Sequence, residues 1–270
     1  MLKNRHHSNY DQISVHANKL QPMTENQWGW FLAGLIDGDG HFNKLGYLSL
    51  VFDGKDVATA YEVKRYLGYG KLSLVRGKSA LTYVLSHAEG RARVAALVKN
   101  KLRHKEKLAQ YNTRFVPKLN LPPSAKAREL SLNNHWLAGF IQSECSFALK
   151  ALQRPHRKNT EFRLSLQIDQ KERYLLDEIK ACLGGSIGFR HGQNTFYFST
   201  VSFKNVVPLI NYLDTHAVRG AKQTAYKMWR QAYVLIQTQA HLSPRGASLL
   251  LRRKAVLKRF FAFKPKLTKI

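Results

Sequence analysis

Apolar positions in this chain switch between two periods. Through WGWFLAGLID (28–37) and NNHWLAGFIQ (133–142) they are dense and helix-compatible. In YLSLVFDGK (47–55) and FRLSLQIDQK (162–171) they alternate with polar residues, as in a strand with one buried face. Both strand-like runs end in Asp (Asp53, Asp169), with a Lys two residues on. Helical spacing returns in DVATAYEVKRYLG (56–68) and ERYLLDEIKACLG (172–184), and each closes on Leu-Gly, a helix-end signal. Two short strands around a turn follow in each case, KLSLVRGKSALTYVLS (71–86) and SIGFRHGQNTFYFST (186–200). Last comes a helix with Lys four residues before Tyr, Lys107/Tyr111 and Lys222/Tyr226. The order helix–strand–strand–helix–strand–strand–helix thus occurs twice.

The opening helices lie 105 residues apart and the later elements 115 or 116 apart, which places an insertion in the first hairpin of the second copy. Two copies of one unit in one chain predict a pseudo-twofold α+β protein. The expected divisions are a polar N-terminal arm (1–25), a first repeat (26–115), a linker (116–130) rich in proline, a second repeat (131–240) and a basic tail (241–270) with a short helix from Ala247 to about Phe261. Trp28, Trp30, Trp136 and Trp229 read as core or interface residues.

The two helical strings continue as LAGLIDGDGHF (32–42) and LAGFIQSECSF (137–147). Small residues recur four apart, Gly34 and Gly38 in one copy and Gly139 and Ser143 in the other, the spacing that lets two helix backbones approach closely. Each copy carries an acid at its eighth position, Asp39 and Glu144. A carboxylate at the negative end of a helix dipole is disfavoured unless a cation compensates. Two such helices packed side by side would bring both acids to one end of the interface. Paired carboxylates near a basic surface suit a divalent metal completed by water and phosphate oxygens, and so phosphodiester hydrolysis.

Charge sharpens this picture. Forty-four Lys and Arg stand against seventeen Asp and Glu, a formal net charge of +27, and no acid follows Asp214. A polyanion partner is the expected reason. Cys145 and Cys182 show neither a disulfide framework nor zinc-ligand spacing and read as reduced intracellular thiols. No apolar run is long enough to span a membrane, and the first residues lack the apolar core of a secretory signal.

The paired strings, with their matching sequels, resemble the LAGLIDADG homing endonucleases in their single-chain, two-motif form. The resemblance covers most of residues 26–240. It implies two pseudo-twofold-related αββαββα halves, each with a saddle-shaped antiparallel sheet for the DNA major groove, joined by the packed motif helices. By motif position it implies catalytic, metal-binding roles for Asp39 and Glu144, with Gly38 and Ser143 beside them at the metal. The sixth position, Asp37 or Gln142, need not be acidic. Lys107 and Lys222 resemble the family's lysines near the scissile phosphates, and Gln170 its water-ordering residue, a role that Gly54 in the first half cannot fill. The implied cofactor is Mg²⁺, with Mn²⁺ able to substitute and Ca²⁺ binding without supporting much cleavage. The implied activity is cutting of both strands of a long asymmetric duplex by a monomer, leaving short 3′ overhangs, for intron mobility. The family's organellar members point to a mitochondrion or chloroplast. An RNA-binding intron maturase and a catalytically weakened DNA-binding regulator are the rival expectations. Cys145 stands where the first copy has Gly40, a position suited to positive φ, and is expected to shift the following strand.

Strand alternation then assigns a DNA-reading face. In the first half it holds His41, Asn43, Ser49, Val51 and Asp53, with Arg76, Lys78 and Thr82 on the second hairpin. In the second half it holds Ser146, Ala148, Lys150, Arg163, Ser165, Gln167 and Asp169. Arg154, His156, Arg157 and Lys158 occupy the tip of the first hairpin, and Arg190 and Gln193 belong to the second.

Overall fold

The computed structural model describes residues 12–19, 21–156, 159–265 and 267. Arg157 and Lys158, and residues 1–11 and 20 of the expected N-terminal arm, lie outside the described residues. The first half runs α1 (Glu25–Asp39), β1 (Gly40–Phe42), β2 (Leu48–Asp53), α2 (Val57–Leu67), β3 (Lys71–Leu74), β4 (Ala80–Leu85), α3 (Ala88–Val98) and α4 (Lys105–Gln110). The second repeats the order with α5 (Trp136–Glu144), β5 (Cys145–Leu152), β6 (Glu161–Gln170), α6 (Arg173–Leu183), β7 (Ser186–Arg190), β8 (Thr195–Thr200), α7 (Phe203–Thr215) and α8 (Gly220–Gln237), then adds α9 (Pro244–Ala262). The four strands of each half form an antiparallel sheet, ordered β1-β2-β4-β3 and β5-β6-β8-β7. The fold is α+β in two related halves.

Local chemistry sets the element ends. Thr24 and Gln27 form a reciprocal capping box at the start of α1, satisfying two otherwise unpaired N–H groups. Gly68 and Gly184 close α2 and α6 at φ of 78° and 69°, conformations that an L side chain resists. The extra length of the second copy lies in its first hairpin, where β5 and β6 are eight and ten residues long against three and six for β1 and β2. Beyond α4 the chain continues through a π turn (Tyr111–Phe115) and a 3₁₀ turn (Val116–Leu119).

The motif helices pack against each other through their glycines. A Cβ at Gly34 would run into the Trp136 carbonyl and the Phe140 backbone nitrogen. One at Gly139 would meet the Phe31 carbonyl and the Leu35 nitrogen. One continuous apolar core joins the halves across this contact, from Phe31 and Leu35 to Leu137, Phe140 and Ile141. Trp28, Trp136 and Trp229 are buried and Trp30 is half-buried against that core. The basic tail is a nineteen-residue helix, longer than predicted, anchored by buried Leu250 and Leu257 and capped by Ser243.

Three expectations are corrected. Gly40 and Cys145 are both extended, at φ of −82° and −104°. The motif helix runs straight into a strand, so the residue after the acid opens the ladder and does not act as a left-handed cap. Cys145 pairs with Ile168, whereas Gly40 pairs with Leu50, the counterpart of Leu166, so β5 lies two residues out of the register that β1 keeps with its partner. Asn43 faces its own turn: its Oδ1 accepts the Leu45 and Tyr47 N–H groups, each at 3.0 Å, to close the β1–β2 hairpin. Ser165 is buried, because its short side chain sits opposite Ala148 in mid-strand, between the longer Arg163 and Gln167.

Candidate active site between the motif helices

Asp39 and Glu144 close α1 and α5, and the contact between those helices brings them together. A Cβ at Gly38 would fall on Ser143 and within 3.2 Å of Glu144 Cγ. Asp39 is exposed, in a hollow with protein on most sides, and Glu144 is half-buried. Loss of water pushes the Asp39 carboxyl up to about 6, against the pull of Lys222 and then Lys107. Loss of water, and next the charge of Asp39, push Glu144 up to about 7; a hydrogen bond from Gln170, then Lys107 and Lys222, pull it back.

The two halves of this site carry different equipment. Asp39 feels Lys222 most among the lysines and opens onto a pocket of about 200 Å³ that it shares with Asp53, Lys55, Asp56, Ser143, Lys222 and, from the tail, Phe260 and Phe261. Glu144 has Gln170 and feels Lys107 more than Lys222. Lys222 is buried, with Nζ donating to the Cys145 carbonyl at 2.5 Å, and Lys107 is half-buried. Gly54, the counterpart of Gln170, is covered by Ser79 and Pro265. The tail is tied down there by Lys55 Nζ to the Phe261 carbonyl at 3.2 Å and Ser79 Oγ to the Pro265 carbonyl at 2.6 Å.

The sixth motif position has a structural role in both copies. Asp37 is fully buried. Its Oδ2 accepts the Arg103 N–H at 2.7 Å and the Trp136 indole N–H at 2.8 Å. Gln142 Oε1 accepts the Arg219 N–H at 2.7 Å. Arg103 and Arg219 precede α4 and α8, so each motif helix fixes the helix that presents its half's lysine. An amide carbonyl serves as well as a carboxylate here, which explains why the acid is dispensable.

Burial pushes Asp37 up to about 7, the Arg103 and Trp136 hydrogen bonds pulling against it. A carboxyl held above its ordinary range favours the folded state at pH below about 4 and loses that contribution as the pH climbs through about 7. Asp37→Asn is therefore expected to gain about 2 kcal/mol over wild type at pH 8, and little or nothing at pH 4–5. Part of the gain is offset by placing an amide NH₂ where Asp37 Oδ1 has no partner among the described residues. Urea midpoints at the two pH values measure it; a variant less stable than wild type at pH 8 would contradict it.

On the sheet faces, His41, Val51, Asp53, Arg76, Lys78, Lys150, Arg154, His156 and Gln193 are exposed, and Ser49, Thr82, Ser146, Ala148, Arg163, Gln167, Asp169 and Arg190 are half-buried. Val51 pairs with Thr82 across β2 and β4. Several of these side chains already hold one another. Arg190 reaches Asp169 at 2.8 Å, Gln167 reaches it at 2.9 Å, and Arg154 and Arg163 share Glu161. Being only partly buried, these pairs stabilise little and can exchange for other partners.

Among the described residues no group of three or more His, Cys, Asp or Glu is placed to hold a metal ion. The oxygen donors present still fit Mg²⁺ or Ca²⁺, since such ions bind through one or two carboxylates and complete their shells with water and substrate phosphate. Two crowded carboxylates that each hold their proton toward neutral pH are what a cation would relieve. Asp56, the first residue of the helical stretch 56–68, carries no functional signal in the sequence, and Phe260 and Phe261 are brought to the site only by the tertiary fold. No helix among the described residues is long and apolar enough to cross a membrane.

A family model described as LAGLIDADG endonuclease matches residues 137–233. The chain is 39% identical over 244 residues to an uncharacterized 37.2 kDa cox1 intron-2 protein of Schizosaccharomyces pombe, covering 88% of this chain and 75% of that one. It is 24% identical over 250 residues to a probable intron-encoded endonuclease 4 of Neurospora crassa, and 25% identical over 214 to the intron-encoded RNA maturase bI4 of Saccharomyces cerevisiae. Those matches cover 86% and 76% of this chain but span only 44% and 30% of the two relatives. Among solved structures, I-SmaMI bound to an uncleaved DNA target in the presence of calcium ions superposes with a TM-score of 0.63 at 19% identity, over 84% of this chain and 97% of that one.

Proposed function

The chain belongs to the LAGLIDADG endonuclease family, and we propose that it is a divalent-metal-dependent, site-specific endonuclease that cuts both strands of a long DNA duplex. The observation that carries this reading is the meeting of Asp39 and Glu144 at one end of the α1–α5 pair, with Lys107 and Lys222 beside them. Asp39 and Glu144 would hold Mg²⁺, with Mn²⁺ able to replace it. When bound, the ion would neutralise the scissile phosphate and help to ionise water. Lys222 on the Asp39 side and Lys107 on the Glu144 side bring positive charge to the phosphoryl oxygens as negative charge builds there. Gln170, whose side chain favours the ionised form of Glu144, would orient the attacking water. The sheet faces read the duplex, Arg and Gln contacting base edges and the lysines contacting phosphates.

The target is expected to be asymmetric, because the two sheets differ in hairpin length and in side chains. The cut leaves short 3′ overhangs and serves mobility of an intron, in a mitochondrion, in keeping with the cox1 intron of the S. pombe relative. A second reading, an RNA maturase on the same fold, is favoured by the name of the S. cerevisiae relative. It gives the two acids no task, and they support cleavage.

Selection of cleavable duplexes from a randomised library tests the proposal. A single recoverable site, cut in Mg²⁺ and bound but barely cut in Ca²⁺, is the expected result. Retention of a specific duplex that is never cut would favour a regulator, and capture of RNA with no duplex retained would favour the maturase.

A further inference from the structure

Asp56 has the position of a helix cap but caps a different helix. It ends the 3₁₀ turn Gly54–Asp56 and occupies the N-cap position of α2, where an Asp side chain ordinarily accepts an N–H two or three residues ahead. Here no such bond forms, and the backbone, at φ −93° and ψ 22°, is not the extended conformation of a capping residue. The carboxylate is turned across the molecule: Gln142 Nε2 donates to it at 3.4 Å, and it lines one pocket with Ala221 and Lys222 at the start of α8, close enough for the Lys222 backbone N–H to favour its ionised form. The Lys222 N–H is among the first four of α8, which the helix itself cannot satisfy, and Arg219 at the α8 N-cap supplies no side-chain cap. Thr59 of α2 meets Gly220 at the same junction, so the N-termini of α2 and α8 abut.

We infer that Asp56 is a positioning residue: from the first half it caps the second half's helix α8, and so fixes where Lys222 stands beside Asp39. This rests on the nuclease reading of the site. It deepens that reading by separating the half-sites. On the other side, the corresponding brace is the neutral hydroxyl of Tyr174, which accepts the Lys105 N–H at 2.7 Å at the start of the helix carrying Lys107. One lysine is thus held by a carboxylate and the other by a phenol.

Single-turnover cutting of a duplex with each strand separately labelled tests the assignment. Asp56→Ala should slow the strand served by Lys222 about ten-fold and the other less than about two-fold, the scale of a lost cap. Asp56→Asn, which keeps an acceptor without the charge, should restore that strand to within about three-fold of wild type, since Asn caps as well as Asp. In a Lys222→Ala background, Asp56→Ala should add less than about two-fold, because both act through one side chain. Equal slowing of both strands, failure of Asn to rescue, or fully multiplicative effects with Lys222→Ala would each overturn it. Amide exchange at Lys222, measured without DNA, gives an independent reading. It should accelerate about ten-fold in Asp56→Ala and stay near wild type in Asp56→Asn. Unchanged protection in Asp56→Ala would refute the cap even in a protein that cuts well. If wild type cuts no duplex while exchange responds as expected, the nuclease reading fails and the cap stands.

Discussion

Glu144→Gln and Asp39→Asn are each expected to lose double-strand cleavage by about 10³-fold or more while the duplex stays bound. Both substitutions keep the size of the side chain and leave the α1–α5 packing untouched, so the folded protein should survive them. What disappears is one of two carboxylates that crowd each other near the same pocket. Removing the Asp39 charge also takes away the electrostatic push that it exerts on Glu144, so the remaining acid ionises more easily yet has half the negative charge with which to attract a cation. A supercoiled plasmid carrying the selected site separates the outcomes, because nicked circles and linear product run apart on a gel. Nicked circles at most are expected from either variant. Linear product forming at the wild-type rate would remove the acids from the chemistry and the proposal with them.

The second large effect is on folding. By helix propensity alone, replacing a mid-helix glycine with alanine should stabilise by about 1 kcal/mol. Gly139→Ala is expected to do the reverse and cost about 3 kcal/mol, because its new methyl group would have to displace the Phe31 carbonyl and the Leu35 nitrogen of the facing helix. Those atoms are backbone and cannot turn aside as a side chain would. The helices must separate, opening the core around Phe31, Leu35 and Phe140, and a domain with only about 5–15 kcal/mol of stability feels that strongly. Gly34→Ala should behave alike. Gly192→Ala is the control: nothing lies within 4 Å of its added Cβ, and a change of under about 0.5 kcal/mol is expected. Urea midpoints for the three variants decide the matter, and a stabilised Gly139→Ala would mean that the helices do not touch as described.

Much of this molecule is legible in its sequence because the repeated parts obey local rules. Strand alternation in 47–55 and 162–171 sorted buried from exposed positions at nearly every residue, and the Leu-Gly pairs marked the ends of α2 and α6. The acids at the motif ends announced themselves by standing where a helix dipole disfavours them. What stayed hidden depends on contacts between distant segments. Asp37 and Gln142 look like an acid and its casual loss, and only the Arg103 and Arg219 N–H groups reveal one shared task. Asp56 carries no signal of its role, because sequence cannot show which helix its carboxylate faces. Gly40 suggested a turn, yet Cys145 does the same work in an extended conformation. Ser165 obeys the alternation and is buried regardless, since depth depends on neighbours as well as on parity.

The crossing of support between halves limits how the protein could be rebuilt. The helix carrying Lys222 leans on Asp56 of the first half, and the one carrying Lys107 leans on Tyr174 of the second. The halves look like interchangeable cassettes, but a hybrid made by exchanging one of them with a relative's would inherit a lysine from one parent and its brace from the other. A graft confined to the strand faces leaves both braces in place. New sequence preference is therefore better sought by transplanting strands than by swapping halves.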